Sequence, residues 1–464
     1  MKRLFLKSSI LASGLLAMAS CADKLEVLPT QTINANNAFN TSGDVLGALS
    51  GTYDGIQSVN VYGGAFQYIP DLLANNGEVR FFGTFSSHIE IANKAMVSNN
   101  TQVTATWNSS YNAINRANNV LANLSKVVEG SRNRVEGEAR CLRAMVYFEL
   151  IRLYAKAWGD GAPESTPGVP LVLTPTKIVD PTPADIAALA VSRNTVAQVY
   201  AQIIDDLTKA EALLPATNNY FANKGLAAGM LSRVYLMQQK YAEARDAANR
   251  VISSDVYGLV GDWTSLFNNF LFTQSSQNTP EHIFTVRITE QDGINDMNTF
   301  YGTTIGSLPG TAGRSDIRVQ TAHFSQYEPD DLRGQFFYRT GSRVFTSKFL
   351  DRYANVPVIR LAEMVLTRAE CNFRLKTAVG DTPENDINAI RERVGLAPLA
   401  ALDLNAILKE RKLELMFEGH LLHDLKRTRR PISNTIAWNS PRLVLPIPQR
   451  ERDANPNLTQ NEGY

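Results

Sequence analysis

The chain of 464 residues is long enough to bury a large core, and its 44% hydrophobic and 20% charged residues lack the polar bias of a disordered sequence. Lys and Arg number 46 against 45 Asp and Glu, and without Lys2, Arg3 and Lys7, which fall in an N-terminal leader, the balance is 43 to 45. No global basic field recruits nucleic acid or anionic lipid, which argues against nucleic-acid binding.

Lys2-Arg3 followed by the apolar run 10–19 has the shape of a secretory signal peptide covering residues 1–20. The run is shorter than the roughly 20 apolar residues that span a bilayer. It ends in small residues before Cys21, A-M-A-S-C, which resembles a bacterial lipobox with Met18 where Leu is usual. In that pathway Cys21 becomes the lipidated N-terminus; the alternative is simple secretion with Cys21 retained or lost. Several acyl chains, at about 0.8 kcal/mol per buried methylene, anchor a protein stably without a membrane helix. Residues 21–42 are polar and irregular, as a tether is, and no later stretch is apolar enough to span.

A helix opens near residue 41, with Ser42 or Asp44 as candidate cap. Residues 61–97 read as loop-rich, with paired Gly, paired Asn and several Phe. Helices are expected over 103–128 and 132–158. The second has apolar positions Val135, Ala139, Leu142, Val146, Leu150, Leu153 and Ala157 in one line and Cys141, Met145, Phe148 and Ile151 in another, so neighbours wall it in. Gly159-Asp160-Gly161 supplies a left-handed stop. A Pro/Gly/Thr-rich excursion over 160–193 precedes helices at 195–214, 224–239 and 241–253. In the last two, Ala244, Ala247 and Ala248 permit close approach while Tyr235 and Tyr241 fill the gap, and the pair resembles a tetratricopeptide repeat. Trp263 and Phe267 read as core. Residues 281–286 alternate as a strand does. Residues 292–343 are a long region without helical period, of the kind that carries function. Helices return at 360–375, 384–394 and 405–427, and the chain closes in a Pro-punctuated tail.

Three constellations invite chemistry. Glu410, Glu414 and Glu418 share a helical face at spacings that suit a glycosidase carboxyl pair, yet Arg411 and Arg360 offer a buried ion-pair network, the preferred reading. His420 and His423 beside Asp424 lack the remaining elements of a zinc motif and read as structural. Gly302, Gly306, Gly310 and Gly313 lack the Lys-Ser/Thr of a phosphate cradle. Cys141 and Cys371 sit in apolar helical patterns as buried thiols, and a disulfide between them is not required. No metal or cofactor is expected.

Four stretches carry a resemblance. G-E-A-R-x-L-R-A-x-x-Y-F-x-L-x-R-L-Y at 137–154, V-I-R-L-A-E-M-V-L-T-R-A-E-C at 358–371, I-N-A-I-R-E-R-V-G-L at 387–396 and the Glu/Arg-rich run at 407–427 stand in order behind the lipobox. With the closing P-I-P and N-P-N-L-T-Q-N-E-G-Y, they resemble the SusD/RagB family of nutrient-binding outer-membrane lipoproteins. The resemblance implies a mainly α fold, a SusD-like α-α superhelix with degenerate tetratricopeptide-type helix pairs and long irregular loops. An N-terminal helical region at 43–260 and a C-terminal SusD/RagB-like region at 261–464 would pack as one unit. It further implies a lipid-anchored protein facing the outside, not an enzyme, that binds oligosaccharides or peptides for a SusC-like TonB-dependent barrel. The ligand site would come from the two loop-rich regions, through Asn75, Asn76, Arg80, Phe81, Phe82 and Phe85 in the first and Phe300, Tyr301 and Arg314 in the second. Two other readings stand beside it: a periplasmic helical-repeat adaptor, and a helical glycoside hydrolase using Glu414 and Glu418.

Overall fold

In a computed structural model that describes residues 38–176, 182–188, 190–267, 278–289, 291–293, 295–305 and 313–464, the frame is a succession of helices, each laid on the one before. The signal peptide, Cys21 and most of the tether fall outside the described residues, as do Gly306 and Gly310. The principal helices are α1 (Ser42–Gln57), α2 (Ala65–Ala74), α3 (Ser86–Ala92), α4 (Thr101–Ala122), α5 (Glu129–Tyr154), α6 (Val196–Leu213), α7 (Lys224–Met237), α8 (Tyr241–Ile252), α9 (Leu361–Leu375), α10 (Pro383–Glu392), α11 (Leu404–Glu414) and α12 (Leu421–Arg427). Packing runs α1–α4–α5–α6–α7–α8–α9, with α10 and α11 both lying on α9. The strands β1 (Val79–Phe81), β2 (His282–Val286), β3 (Ile317–Val319), β4 (Phe337–Thr340), β5 (Arg343–Thr346) and β6 (Val356–Arg360) form three antiparallel pairs, β1 with β3, β2 with β6 and β4 with β5. This is the mainly α architecture that the sequence leads one to expect. No helix among the described residues is long and apolar enough to cross a membrane.

Helix α1 is capped by Thr41 rather than by Ser42 or Asp44. Its hydroxyl accepts from the Asp44 amide while the Asp44 carboxylate accepts from the Thr41 amide, a capping box. Helix α5 is the centre of the frame, and from Cys141 to Tyr154 every residue is buried. Its polar members are enclosed too. Arg143 makes a two-pronged contact with the fully buried Asp206 at 2.9 and 2.8 Å, and the Tyr147 hydroxyl donates to the Val172 carbonyl at 2.8 Å. The helix stops at Tyr154, before the expected glycines. The C-terminal tail ends it: the Leu445 amide donates to the Leu153 carbonyl and Asn461 to that of Tyr154, both at 2.8 Å, satisfying acceptors a further turn would have used.

In the α7–α8 pair, Ala244, Ala247 and Ala248 are fully buried, as close approach requires. Tyr235 and Tyr241 instead lie half-buried at the rim, where Lys240 and Arg374 sit over their rings. Apolar side chains from Val45 to Leu458 join one continuous cluster. Cys141 and Cys371 are buried free thiols within it, raised above the usual thiol range by burial.

Two further expected features differ. The segment 61–97, read as loop, contains the wholly buried helix α2 with Pro70 inside it, and β1 and α3. The expected helix 405–427 breaks between α11 and α12, where Phe417 and Gly419 take positive φ of 61° and 77°. Lys348 Nζ binds the carbonyls of Glu414 and Met416, and the Gly419 amide donates to Asp71, so tertiary partners replace the helical ladder.

Candidate binding face

The three glutamates on either side of that break all face buried cations. Arg360 reaches Glu281, Glu414 and Glu418; Arg393 reaches Glu281 and Glu414; Arg333 reaches Glu410 at 3.0 Å; Lys348 reaches Glu418 at 2.6 Å. Burial raises the Glu414 and Glu418 carboxyls, but the surrounding cations outweigh it and hold both down at about 2. A general acid needs the opposite shift and access to substrate. These acids are structural ties. His420 and His423 are buried and pushed well below the usual histidine range, by burial first and then by neighbouring cations. No group of three or more metal-ligating side chains occurs among the described residues.

The loop residues assemble elsewhere. Antiparallel pairing of β1 with β3 sets Arg80 opposite Arg318 and Phe81 opposite Ile317, and the Phe82 amide extends the ladder to the Asp316 carbonyl at 2.6 Å. Alternation turns Val79 inward, and puts Arg80 and Phe82 on the same outer face. The Phe82 ring, 40% exposed, lies beneath two guanidinium groups, Arg318 at 3.7 Å and Arg80 at 4.8 Å from its centroid. Phe85 is 50% exposed and carries Arg314 over its ring at 4.3 Å. Beneath these lies an aromatic floor. Phe81 and Phe300 flank His88, with centroids 5.9 and 4.9 Å from its ring, and Tyr68 packs on Phe300 at 4.3 Å. Burial, and then Arg314, push His88 down to about 4, so the imidazole is neutral near pH 7.

Five of the nine expected site residues therefore converge: Arg80, Phe82, Phe85 and Arg314 at the surface, with Phe81 partly buried below. Phe300 is buried in the floor and meets the surface residues through Arg314, 5.1 Å from its ring, and through His88, which also packs on Phe81 and Phe85. Tyr301 departs from expectation. It is fully buried, its hydroxyl donating to Asp71 at 2.7 Å, and it packs on Phe349 and Phe417, so it offers a ligand no surface. Asn75 turns back on the backbone, accepting from the amides of Gly77 and Val79. It and Asn76 line a different, small cleft of about 40 Å³ with Asp71, Glu78, His323 and Lys412. Asn76, Glu78 and Lys412 also line an adjoining cavity of about 250 Å³. Arg318 is absent from the expected set, although an Arg between Ile and Val in a strand-like triplet is a signal for an outward cation.

A family model described as "Starch-binding associating with outer membrane" matches residues 50–236, and a second, described as "SusD family", matches 346–437. The chain is similar to SusD-like protein P2 of Formosa agariphila, 24% identical over 97% of this chain and 98% of the relative. Its fold is similar to a crystal structure of a SusD superfamily protein from Bacteroides thetaiotaomicron, with a TM-score of 0.79 and 24% identity over 91% of this chain and 100% of the other. A solved structure titled as a laminarin-binding SusD-like protein gives a TM-score of 0.71 and 24% identity over 92% of this chain and 100% of the other. By these two matched stretches and near full-length relatives, the chain belongs to the SusD/RagB family.

Proposed function

We propose that this protein is a non-catalytic, lipid-anchored receptor of the outer membrane that binds oligosaccharides at the cell surface and passes them to a SusC-like TonB-dependent barrel. The exposed rings of Phe82 and Phe85, interleaved with guanidinium groups, carry the reading: flat aromatic faces stack on the C–H faces of sugars while guanidinium donors take hydroxyls. Membership of a family with a starch-binding description supports a glycan ligand, as does the fold shared with a laminarin-binding protein. Cys21 is the acylation site in this reading, and mass spectrometry of the mature N-terminus tests it. Recovery of a TonB-dependent barrel with the protein from solubilised membranes tests the partner.

Calorimetric titration of a glycan and peptide panel tests the site. The Phe82→Ala variant is expected to weaken the best glycan about tenfold, ~1.4 kcal/mol. Unchanged affinity in both Phe82→Ala and Phe85→Ala places the site elsewhere. Cleavage of any bound oligosaccharide overturns the non-catalytic assignment.

A further inference from the structure

Like charges set directly opposite each other on an antiparallel pair oppose folding, and stable sheets avoid them or pair them off. Arg80 and Arg318 are opposite each other on β1 and β3, and both guanidinium groups crowd the same Phe82 ring. A third arginine, Arg343 at the start of β5, which packs on β3, lies close enough for its charge to act on Arg318. Burial and then the charges of Arg343 and Arg80 hold Arg318 below its usual value, with Asp316 opposing. Asp316 is itself taken by Arg314. Arg80 and Arg343 are exposed and have no acceptor among the described residues, and Arg318 reaches only the Ser315 carbonyl at 3.4 Å. The chain as a whole is close to neutral, so this is a local concentration of charge and not part of a basic surface.

From this unpaired arginine cluster astride an exposed aromatic ring, we propose that the ligand is an anionic oligosaccharide, one whose sugars carry carboxylate or sulfate groups. The inference rests on the glycan-binding reading above and sharpens it. Arg80 and Arg318 over the Phe82 ring, with Arg343 close enough to act on Arg318, present forked donors that match carboxylate or sulfate oxygens two at a time, and the exposed part of Phe82 beneath them gives the sugar that bears the anion an apolar contact. A neutral glycan engages the ring but leaves the repulsion among the guanidinium groups in place. An anion removes it, so part of the binding free energy is repulsion relieved.

Titration of the full chain with four probes of matched length tests this: an oligogalacturonate, a sulfated galactan oligosaccharide, a neutral oligogalactan and a poly-glutamate peptide. One or both charged glycans are expected to bind at least tenfold tighter than the neutral one, with an advantage that shrinks as salt rises from 50 to 500 mM, roughly as the Debye length falls. The stronger of the two identifies carboxylate or sulfate as the group recognised. Arg318→Gln is expected to erase that advantage and, by removing a like charge, to raise the thermal midpoint of the ligand-free protein. A merely structural arginine lowers that midpoint when replaced. Equal binding of neutral and charged glycans, each weakened by Phe82→Ala, overturns the anionic assignment and leaves the glycan reading intact. Binding of poly-glutamate with no glycan bound overturns both.

Discussion

Replacing Arg360 with Met removes the guanidinium at the centre of the buried charge network and leaves a side chain that fills much of its volume. Arg360 is 1% exposed and donates five hydrogen bonds: to Glu281 Oε1 at 2.7 Å, Glu414 Oε1 at 3.1 Å, the Glu414 carbonyl at 3.1 Å, and the two Glu418 oxygens at 3.0 and 2.9 Å. At ~1.5–3 kcal/mol for each charge-assisted bond, their sum would rival the ~5–15 kcal/mol stability of a typical domain. A smaller figure governs, because each of the three carboxylates keeps another cation, and only Glu418 Oε2 loses its donor among the described residues. Arg393 still serves Glu281 and Glu414, and Lys348 still serves Glu418 and the Glu414 carbonyl. The variant therefore suffers the cost of a buried site short of one positive charge, about 3–5 kcal/mol.

The pH dependence has a definite sign. Glu418 is held at about 2, below its ordinary value of 4.5, with burial opposed by Arg360 and Lys348. Its contribution is complete above pH ~4.5 and is lost as pH falls through about 2. Without Arg360, burial lifts the carboxyl and the folded variant takes up a proton earlier, so the mutational penalty shrinks on acidification. Urea unfolding followed by circular dichroism, which adds no salt, is expected to give a penalty of at least ~3 kcal/mol at pH 7 and ~1–2 kcal/mol less at pH 3.5. A penalty under ~1 kcal/mol at pH 7, or one equal at both pH values, refutes the network as a set of mutually dependent charges.

Two further outcomes follow from the break between α11 and α12. Asp71 is raised to about 7 by burial, against the donors Tyr301 and Gly419. A raised folded value means stability present below the unfolded pKa and lost as pH rises through about 7, so Asp71→Asn is expected to be neutral near pH 4 and stabilising by on the order of 3 kcal/mol at pH 8. Thermal midpoints at both pH values check it, and a variant no more stable at pH 8 rejects it. Gly419 has φ of 77°, and a Cβ there would lie 2.8 Å from Gln67 Cα and 2.9 Å from the Phe66 carbonyl oxygen, both backbone. Gly419→Ala is expected to cost at least ~2 kcal/mol in urea unfolding, whereas Gly130→Ala in α5, with open space around it, changes little.

Apolar spacing alone gave α5, the α7–α8 pair and α9 their places, because a helix with two apolar lines must be enclosed whatever encloses it. Trp263 and Phe267, read as core from the local motif G-D-W-T-S-L-F and not from helical spacing, are buried. It failed where a partner distant in sequence decides the backbone. Helix α2 hid behind Pro70, and α5 ended early because the tail claims its last carbonyls. Residues 415–420 left the helix where Lys348 binds the Met416 carbonyl and Asp71 the Gly419 amide.

The candidate face divides along the same line. The family resemblance, together with rings and guanidinium groups in loop-rich sequence, pointed to Arg80, Phe82, Phe85 and Arg314 as candidate ligand contacts. Only the pairing of β1 with β3 brought Arg318 against Arg80 and Phe82, and only packing around Asp71 drew Tyr301 out of solvent. Chemical type and local periodicity are written in neighbouring residues. Register and burial arise from contacts between segments hundreds of residues apart, to which no local pattern is obliged to point.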